Sequence, residues 1–298
     1  MTWSTQKLGV TFGIGAAVWW GVAPIYWRLL DGVPIGDLIA HRVLWSIPVL
    51  MLALVLTGRL ASACKLLFHW ASLRVLIFSA VLGAVNWLIF LWAVATHQVA
   101  AVSLGYFLLP LISVVFGVLV FKETLDGAQK LAIAFAVLGL VTLTIGMGGL
   151  PWAALGVALS FGAYGAVRKA VVTDAIDGVF IEMLVLAPFA IGWVVYSHGA
   201  SLAQGRGVFT DLMLVAAGLI TALPLMAYVA ASRLASLSSL GLISYLNPTV
   251  QLFIAVCYFG EPLEPIKFFA YSMVWVGLIL YMCDQFRKLG KRKYFSKV

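Results

Sequence analysis

The chain has 298 residues, of which 63% are hydrophobic and 10% charged, with a formal net charge of +8. Soluble domains run roughly 45–50% apolar and about 25% charged, so this apolar surplus cannot be hidden inside a water-facing shell. A soluble enzyme is excluded, and with no low-complexity tract or Gly-X-Y period so are disordered and fibrous chains. A polytopic membrane protein remains.

The stretch from residue 8 to 30 follows Lys7 and carries Trp19 and Trp20. It is longer than the roughly 7–15 apolar residues of a secretory signal, so it reads as a retained first span. Hydrocarbon about 30 Å thick needs about 20 apolar residues as helix. That ruler predicts further spans near 38–57, 75–95, 101–121, 128–146, 151–168, 179–197, 212–232, 238–259 and 266–284. Their length, and the lack of alternation, exclude barrel strands. The connectors hold the breakers, such as Asp31-Gly32-Val33-Pro34, Thr57-Gly58-Arg59 and Gly260-Glu261-Pro262. The last of the chain is a basic tail with Arg287, Lys288, Lys291, Arg292, Lys293 and Lys297. A basic chain in water would suggest nucleic acid, but this distribution suits a cytoplasmic end against anionic headgroups, and no nucleic-acid partner is expected. Cys64, Cys257 and Cys283 have no paired or metal-ligand spacing.

With the N-terminus inside, fifteen basic residues fall on the cytoplasmic side, against Arg28, Arg42, Arg206 and Lys267 on the other. That bias sets both termini in the cytoplasm. At an offset of 138, residues 86–140 align with 224–278 without a gap, with eleven identities in 55 positions. Pro110 meets Pro248, Phe121 meets Phe259, Glu123 meets Glu261 and Gly139 meets Gly277. Five spans per repeat is an odd number, so the second half is expected upside down relative to the first. The expected fold is all-α: ten transmembrane helices as two inverted five-helix repeats, 8–146 and 151–284, followed by the tail 285–298. Inverted repeats are the architecture of secondary transporters, with a substrate site near the midplane.

Several motifs carry a family resemblance. They are Trp20-Gly21-Val22-Ala23-Pro24-Ile25-Tyr26, His41-Arg42-Val43-Leu44-Trp45-Ser46, Asn86 to Val94, Ser103 to Phe107 followed by Pro110, Tyr164 to Lys169, and Tyr245 to Pro248. In order and spacing they resemble the RarD branch of the EamA-type drug/metabolite transporters, over nearly the whole chain. One position departs: Leu109 stands where that branch carries Asn before the proline, while the repeat partner Asn247 keeps an amide. The resemblance implies a bacterial inner-membrane permease for small organic metabolites or drugs, amino-acid-like or related to chloramphenicol.

Arg42 and His41 lie near the outer end of the second span. An arginine within a span costs roughly 2.5–3.5 kcal/mol on insertion scales. It either snorkels to the headgroups with Asp37 as partner, or clamps a carboxylate or phosphate through its planar fork. Arg42 is the first candidate for a substrate contact, with His41 beside it as a candidate proton-linked group. Asn86, near the middle of the third span, is either interhelical glue, worth ~0.6 kcal/mol, or a substrate contact. Trp20, Tyr106 and Tyr245 sit near midspan and are the best candidates for an aromatic cavity wall. Pro110 and Pro248 each remove a helix hydrogen bond, and their repeat pairing suggests symmetric gating kinks. Glu182, at the start of the seventh span, is an interfacial acid near Arg168 and Lys169 or a coupling carboxylate. Glu123 and Glu261 end spans and suggest turn and capping roles.

The rival class is an integral-membrane enzyme acting on a lipid or prenyl substrate, with Asp174 and Asp177 on Mg²⁺. It would need a second acidic cluster, and the other acids are scattered singly. His41, His69, His97 and His198 make no ligand set, and no Gly-rich phosphate loop is present. No metal or cofactor is expected; the expected activity is alternating-access transport of a small molecule across a bilayer. Reporter fusions after Met147 and after His198 should both report periplasm, and a C-terminal fusion cytoplasm. A periplasmic C-terminus would overturn the ten-span count and the inverted repeat with it.

Overall fold

Where no water can reach, every backbone N–H and C=O must be paired within its own segment, and the long apolar runs of this chain fold accordingly. The computed structural model describes residues 3–122, 127–146, 149, 151–169, 173–198, 207–234, 243 and 245–295. Among them the chain forms α1 (Trp3–Arg28), α2 (Ile35–Leu56), α3 (Leu60–Leu66), α4 (Trp70–Ala95), α5 (Val99–Phe121) and α6 (Gly127–Gly146). The second half holds α7 (Trp152–Lys169), α8 (Ala175–His198), α9 (Val208–Leu234), α10 (Leu246–Phe253) and α11 (Pro265–Phe295). One π-helical turn, Ile254–Tyr258, prolongs α10. Glu123, Met147 and Arg206 lie outside the described residues.

Among the described residues, five stretches are long and apolar enough to cross a membrane: Lys7–Arg28, Ile35–Leu56, Trp70–Ala95, Ile176–Ser197 and Val208–Tyr228. Shorter apolar stretches occupy Val99–Leu109, Lys130–Gly146 and Leu246–Tyr258. Leu52, Phe78, Ile145 and Phe189 are exposed on the outside of their helices, a surface that suits hydrocarbon and would be costly in water.

Several boundaries differ from the sequence-based expectation, α4 for one beginning at Trp70 rather than at 75. Helices α2 and α8 begin at Ile35 and Ala175, ahead of the apolar runs at 38 and 179, because their first turns are polar. Asp37 and Asp177 occupy those turns, where the helix dipole favours a carboxylate. The connector after α2 folds into the short helix α3, tied down by buried Ala63. Helix α11 continues past residue 284 to Phe295, so the basic stretch extends the last helix.

Helix pairing follows a regular scheme. Helix α1 lies against α9, and α4 against α7; α2 lies against α9, and α4 against α8; α5 lies against α7, and α1 against α10. Leaving α3 aside, each of these six contacts has a counterpart five helices further along. The pairs α2–α8, α5–α10 and α6–α11 are their own counterparts. The closest approach of this last kind is reciprocal. A Cβ on Gly139 of α6 would stand 2.9 Å from the Ala270 carbonyl oxygen, and one on Gly277 of α11 would stand 2.8 Å from that of Ala132. Both glycine and alanine positions are 138 apart, so the Gly139–Gly277 identity in the sequence is one backbone-to-backbone contact made twice.

Neither carbonyl can move aside as a side chain would. Gly277→Ala should therefore destabilise the protein by about 1–3 kcal/mol, the usual range for overpacking, measured by thermal unfolding in detergent. Gly165→Ala, on α7 with nothing within 4 Å of the added carbon, should leave stability unchanged or raise it by up to about 1 kcal/mol.

Candidate functional site

Helix α2 brings its eighth residue, Arg42, into the interior at 9% exposure. One turn on, Ser46 donates to the Arg42 carbonyl at 2.7 Å and to the Gly218 carbonyl of α9 at 3.4 Å. Gly218 lets α9 close on this stretch, since a Cβ there would run into the Trp45 backbone. The guanidinium carbon stands 4.2 Å from the Trp87 ring centroid on α4 and 5.3 Å from that of Trp27 on α1. The Tyr26 and Tyr106 hydroxyls lie within electrostatic reach. Among the described residues the guanidinium forms no hydrogen bond and no ion pair, and its Nε is buried without an acceptor.

Arg42 sits two turns into its helix, inside the protein, and Asp37 accepts from Trp193 Nε1 at 2.8 Å and Ser197 Oγ at 3.5 Å on α8. Two cation–π contacts are worth about 0.5–2 kcal/mol each, whereas the desolvation of a buried ion costs several kcal/mol. The rings soften that cost without cancelling it, and among the described residues the guanidinium has no counter-ion.

The aromatic wall is held by a polar tie. Asn86, 1% exposed, donates to the Val157 carbonyl and to Ser160 Oγ of α7, both at 3.1 Å, and accepts from Tyr106 at 3.3 Å. Its amide joins α4 to α7 and fixes Tyr106, so glue and site support are one function here. Tyr106 also meets Phe90 and Phe161. His41 is buried beside Arg42, with Nδ1 accepting from Trp45 Nε1 at 3.2 Å, which leaves the ring proton on Nε2. A cavity of about 280 Å³ between the α1–α2 turn and the end of α4 is lined by Trp27, Leu30, Pro34, Leu38, Leu91 and Val94. Trp27 thus forms a wall of the cavity and one of the rings on Arg42.

Other expected residues sit elsewhere. The Trp20 ring meets Tyr228 of α9 at 5.7 Å, and its carbonyl accepts from Gln251 at 3.4 Å. Tyr245 immediately precedes α10 and packs against the larger apolar cluster. Pro110 is inside α5, but Pro248 is the third residue of α10, where a helix start leaves N–H groups unpaired anyway. Its carbonyl accepts from Ser103 at 2.7 Å. Trp27 and Trp87 went unmarked among eleven tryptophans, although each directly follows a singled-out residue, Tyr26 and Asn86.

At the opposite end lies a second polar group. Glu182, also the eighth residue of its helix and 2% exposed, accepts from Ser79 at 2.5 Å and Tyr164 at 3.1 Å, and stands 3.5 Å from Arg168. It is two turns inside α8 rather than at the interface. Nearby, Arg59 pairs with Asp174 and Asp177 at 3.0 Å each, and its bond to Asp177 holds its basicity above the ordinary arginine value. Glu261 caps α5, accepting from the Val99 and Ala100 amides at 2.8 Å; burial nonetheless pushes its carboxyl above the usual range.

Residues 7–145 match the EamA-like transporter family. The chain is 35% identical to Protein RarD of Streptomyces exfoliatus, over 95% of this chain and 90% of that protein. It is 35% identical to an uncharacterized transporter of Pseudomonas aeruginosa, over 98% of each. It is 32% identical to a chloramphenicol-sensitive protein RarD of the same species, over 95% and 96%. A solved crystal structure shares the fold with a TM-score of 0.59 at 19% identity, over 91% of this chain and 96% of that one. The chain belongs to the RarD branch of the EamA-type drug/metabolite transporters, a family of multi-pass membrane transporters.

A buried cation without an internal counter-ion should weigh on stability. Arg42→Met, which keeps the apolar stem, is expected to stabilise the detergent-solubilised protein by about 1–4 kcal/mol, read as a raised melting temperature. A marked loss of stability would mean that the guanidinium is internally compensated.

Proposed function

We propose that the chain is a secondary transporter of small organic carboxylates or zwitterions in the bacterial inner membrane, with both termini cytoplasmic, working by alternating access. The observation that carries this reading is Arg42: a buried guanidinium between Trp87 and Trp27 that makes no hydrogen bond or ion pair among the described residues. A planar carboxylate can take two parallel N–H donors from such a group, and the flanking rings favour cargo with a flat apolar body beside its charge. Tyr106, fixed by Asn86, faces the same guanidinium, and His41 is the group through which a proton could influence it. Trp20, against Tyr228, and Tyr245, just before α10, are not part of the surroundings of Arg42 described above.

Two inverted five-helix repeats, 8–146 and 151–284, are supported by helix contacts that recur five helices along and by the doubled Gly–Ala contact of α6 and α11. The side chains at connectors agree: Arg28 reaches His97, and Glu261 reaches the start of α5, as ends sharing one side of ten alternating spans would. In this reading Pro110 and Pro248 mark the gating segments of the two halves. The membrane-enzyme alternative loses its Asp174–Asp177 pair, since both carboxylates are engaged by Arg59.

Reconstituted protein should be screened for uptake and efflux of amino acids, benzoate and chloramphenicol, with and without a pH gradient. Chloramphenicol is included because the name of one relative refers to it. For the transported carboxylate, Arg42→Ala should lower the rate at least tenfold, about 1.4 kcal/mol, and Arg42→Lys should recover only part of it, having a point charge without the fork. Full transport by Arg42→Ala at normal membrane level would remove the residue from the site.

A further inference from the structure

Arg42 and Glu182 hold the same register. Helices α2 and α8 start at residues 35 and 175, and at that spacing of 140 Asp37 matches Asp177 and Pro48 matches Pro188. The two helices also pack against each other. One position thus carries a buried cation in the first half and a buried anion in the second, with opposite provision for the charge. Arg42 has only aromatic faces, while three helices converge on Glu182: Ser79 from α4, Tyr164 and Arg168 from α7, and its own α8.

The partners of Glu182 differ in how they respond to a proton. Ser79 and Tyr164 are hydroxyls, which can donate to a carboxylate or accept from a carboxylic acid. Arg168 has donors only, so it is attracted to the ionised form alone. Its contact is also the long one, 3.5 Å against 2.5 Å and 3.1 Å for the hydroxyls. On the same helix Asp177 is held by Arg59 and Ser62, and just before it Asp174 is held by Arg59. Among the described residues, α2, α3 and α9 bring no charged group into contact with Glu182. The Arg59 side chain is 32% exposed, so water stands close to this end of the molecule.

We propose that Glu182 is a proton-binding site, and that protonating it releases Arg168 and lets α7 and α8 part at the Arg59 end. The proton comes from water at that end and goes to the carboxylate, changing the Glu182–Arg168 pair from neutral to singly positive. Buried in low dielectric, that charge is relieved when Arg168 swings toward water. Helix α7 transmits the change, because it also carries Ser160, the partner of Asn86, and Phe161, whose ring lies between Tyr106 and Tyr164. The site does not depend on Arg42 binding cargo, so the two readings fail separately.

The test needs no substrate. In the full chain with Cys64, Cys257 and Cys283 replaced by serine, Val179→Cys reports on the Glu182 end, where the parent residue is 5% exposed. Val33→Cys reports on the opposite end. At about pH 7.5, Glu182→Gln should label with a membrane-impermeant maleimide at Val179→Cys at least tenfold faster than the parent, with no such gain at Val33→Cys. Arg168→Gln, which removes the attraction from the other side, should do the same and covers the case in which Glu182→Gln does not fold. Lowering the pH to about 5.5 should speed the parent relative to the same cysteine in unfolded protein, but not Glu182→Gln. Acidification of detergent-solubilised protein with a pH indicator should show one more proton bound by the parent than by Glu182→Gln. Equal proton uptake, or labelling at Val179→Cys that is the same in the parent and both variants, would overturn the proposal.

Discussion

An ion taken out of water must find its counter-charge or its hydrogen bonds inside the protein, and that constraint organises the polar part of this molecule. Asp177 is met by Arg59 and Ser62, Glu182 by Ser79, Tyr164 and Arg168, and Glu261 by two amides at the start of α5. Each of these arrangements joins helices or connectors distant in sequence. Arg42 departs from the pattern, with two indole faces in place of an acid. Those three carboxylates are met by donors, whereas among the described residues the Arg42 guanidinium meets no anion.

Polar ties of this kind work because the apolar scaffold around them is close-fitting. Gly218 lets α9 reach the backbone of α2 beside Arg42, and Gly105 lets α5 reach the backbone of α7 at Ala154. With helices this near, one amide, Asn86, can span α4 and α7 and hold a tyrosine at the same time. The Arg42 environment is therefore built from α1, α2 and α4 directly and from α5 and α7 through Asn86.

Much of the fold was legible because hydropathy and repeat spacing are properties of long segments. Composition alone demanded a membrane, the run at 128–146 matches α6 closely, and the run at 75–95 falls within the longer α4. The short, polar or interrupted pieces were not legible. Asp37 and Asp177 made the first turns of α2 and α8 look like connectors, so Arg42 and Glu182 read as lying close to span ends, which left an interfacial role open for each, whereas both lie two turns inside their helices. Helix α3 has seven residues, too few for any span-length ruler. For the site, a single charged residue in an apolar run stood out, as did an amide. The indoles of Trp27 and Trp87 did not, since apolar spans are full of aromatics and only tertiary contact distinguishes these two. The gap-free alignment at 138 covered α5 and α6, while the 140 spacing of α2 and α8 escaped it because the insertion falls between them.

The doubled contact between Gly139 and Ala270, and between Gly277 and Ala132, has a geometric consequence. Exchanging the two halves of the molecule turns this contact into itself, whereas it turns the surroundings of Arg42 into those of Glu182. A rearrangement in which the halves trade conformations would leave the seam between α6 and α11 where it was. Under the proposed alternating access, that seam would serve as a fulcrum, a fixed line against which the remaining helices lean one way and then the other.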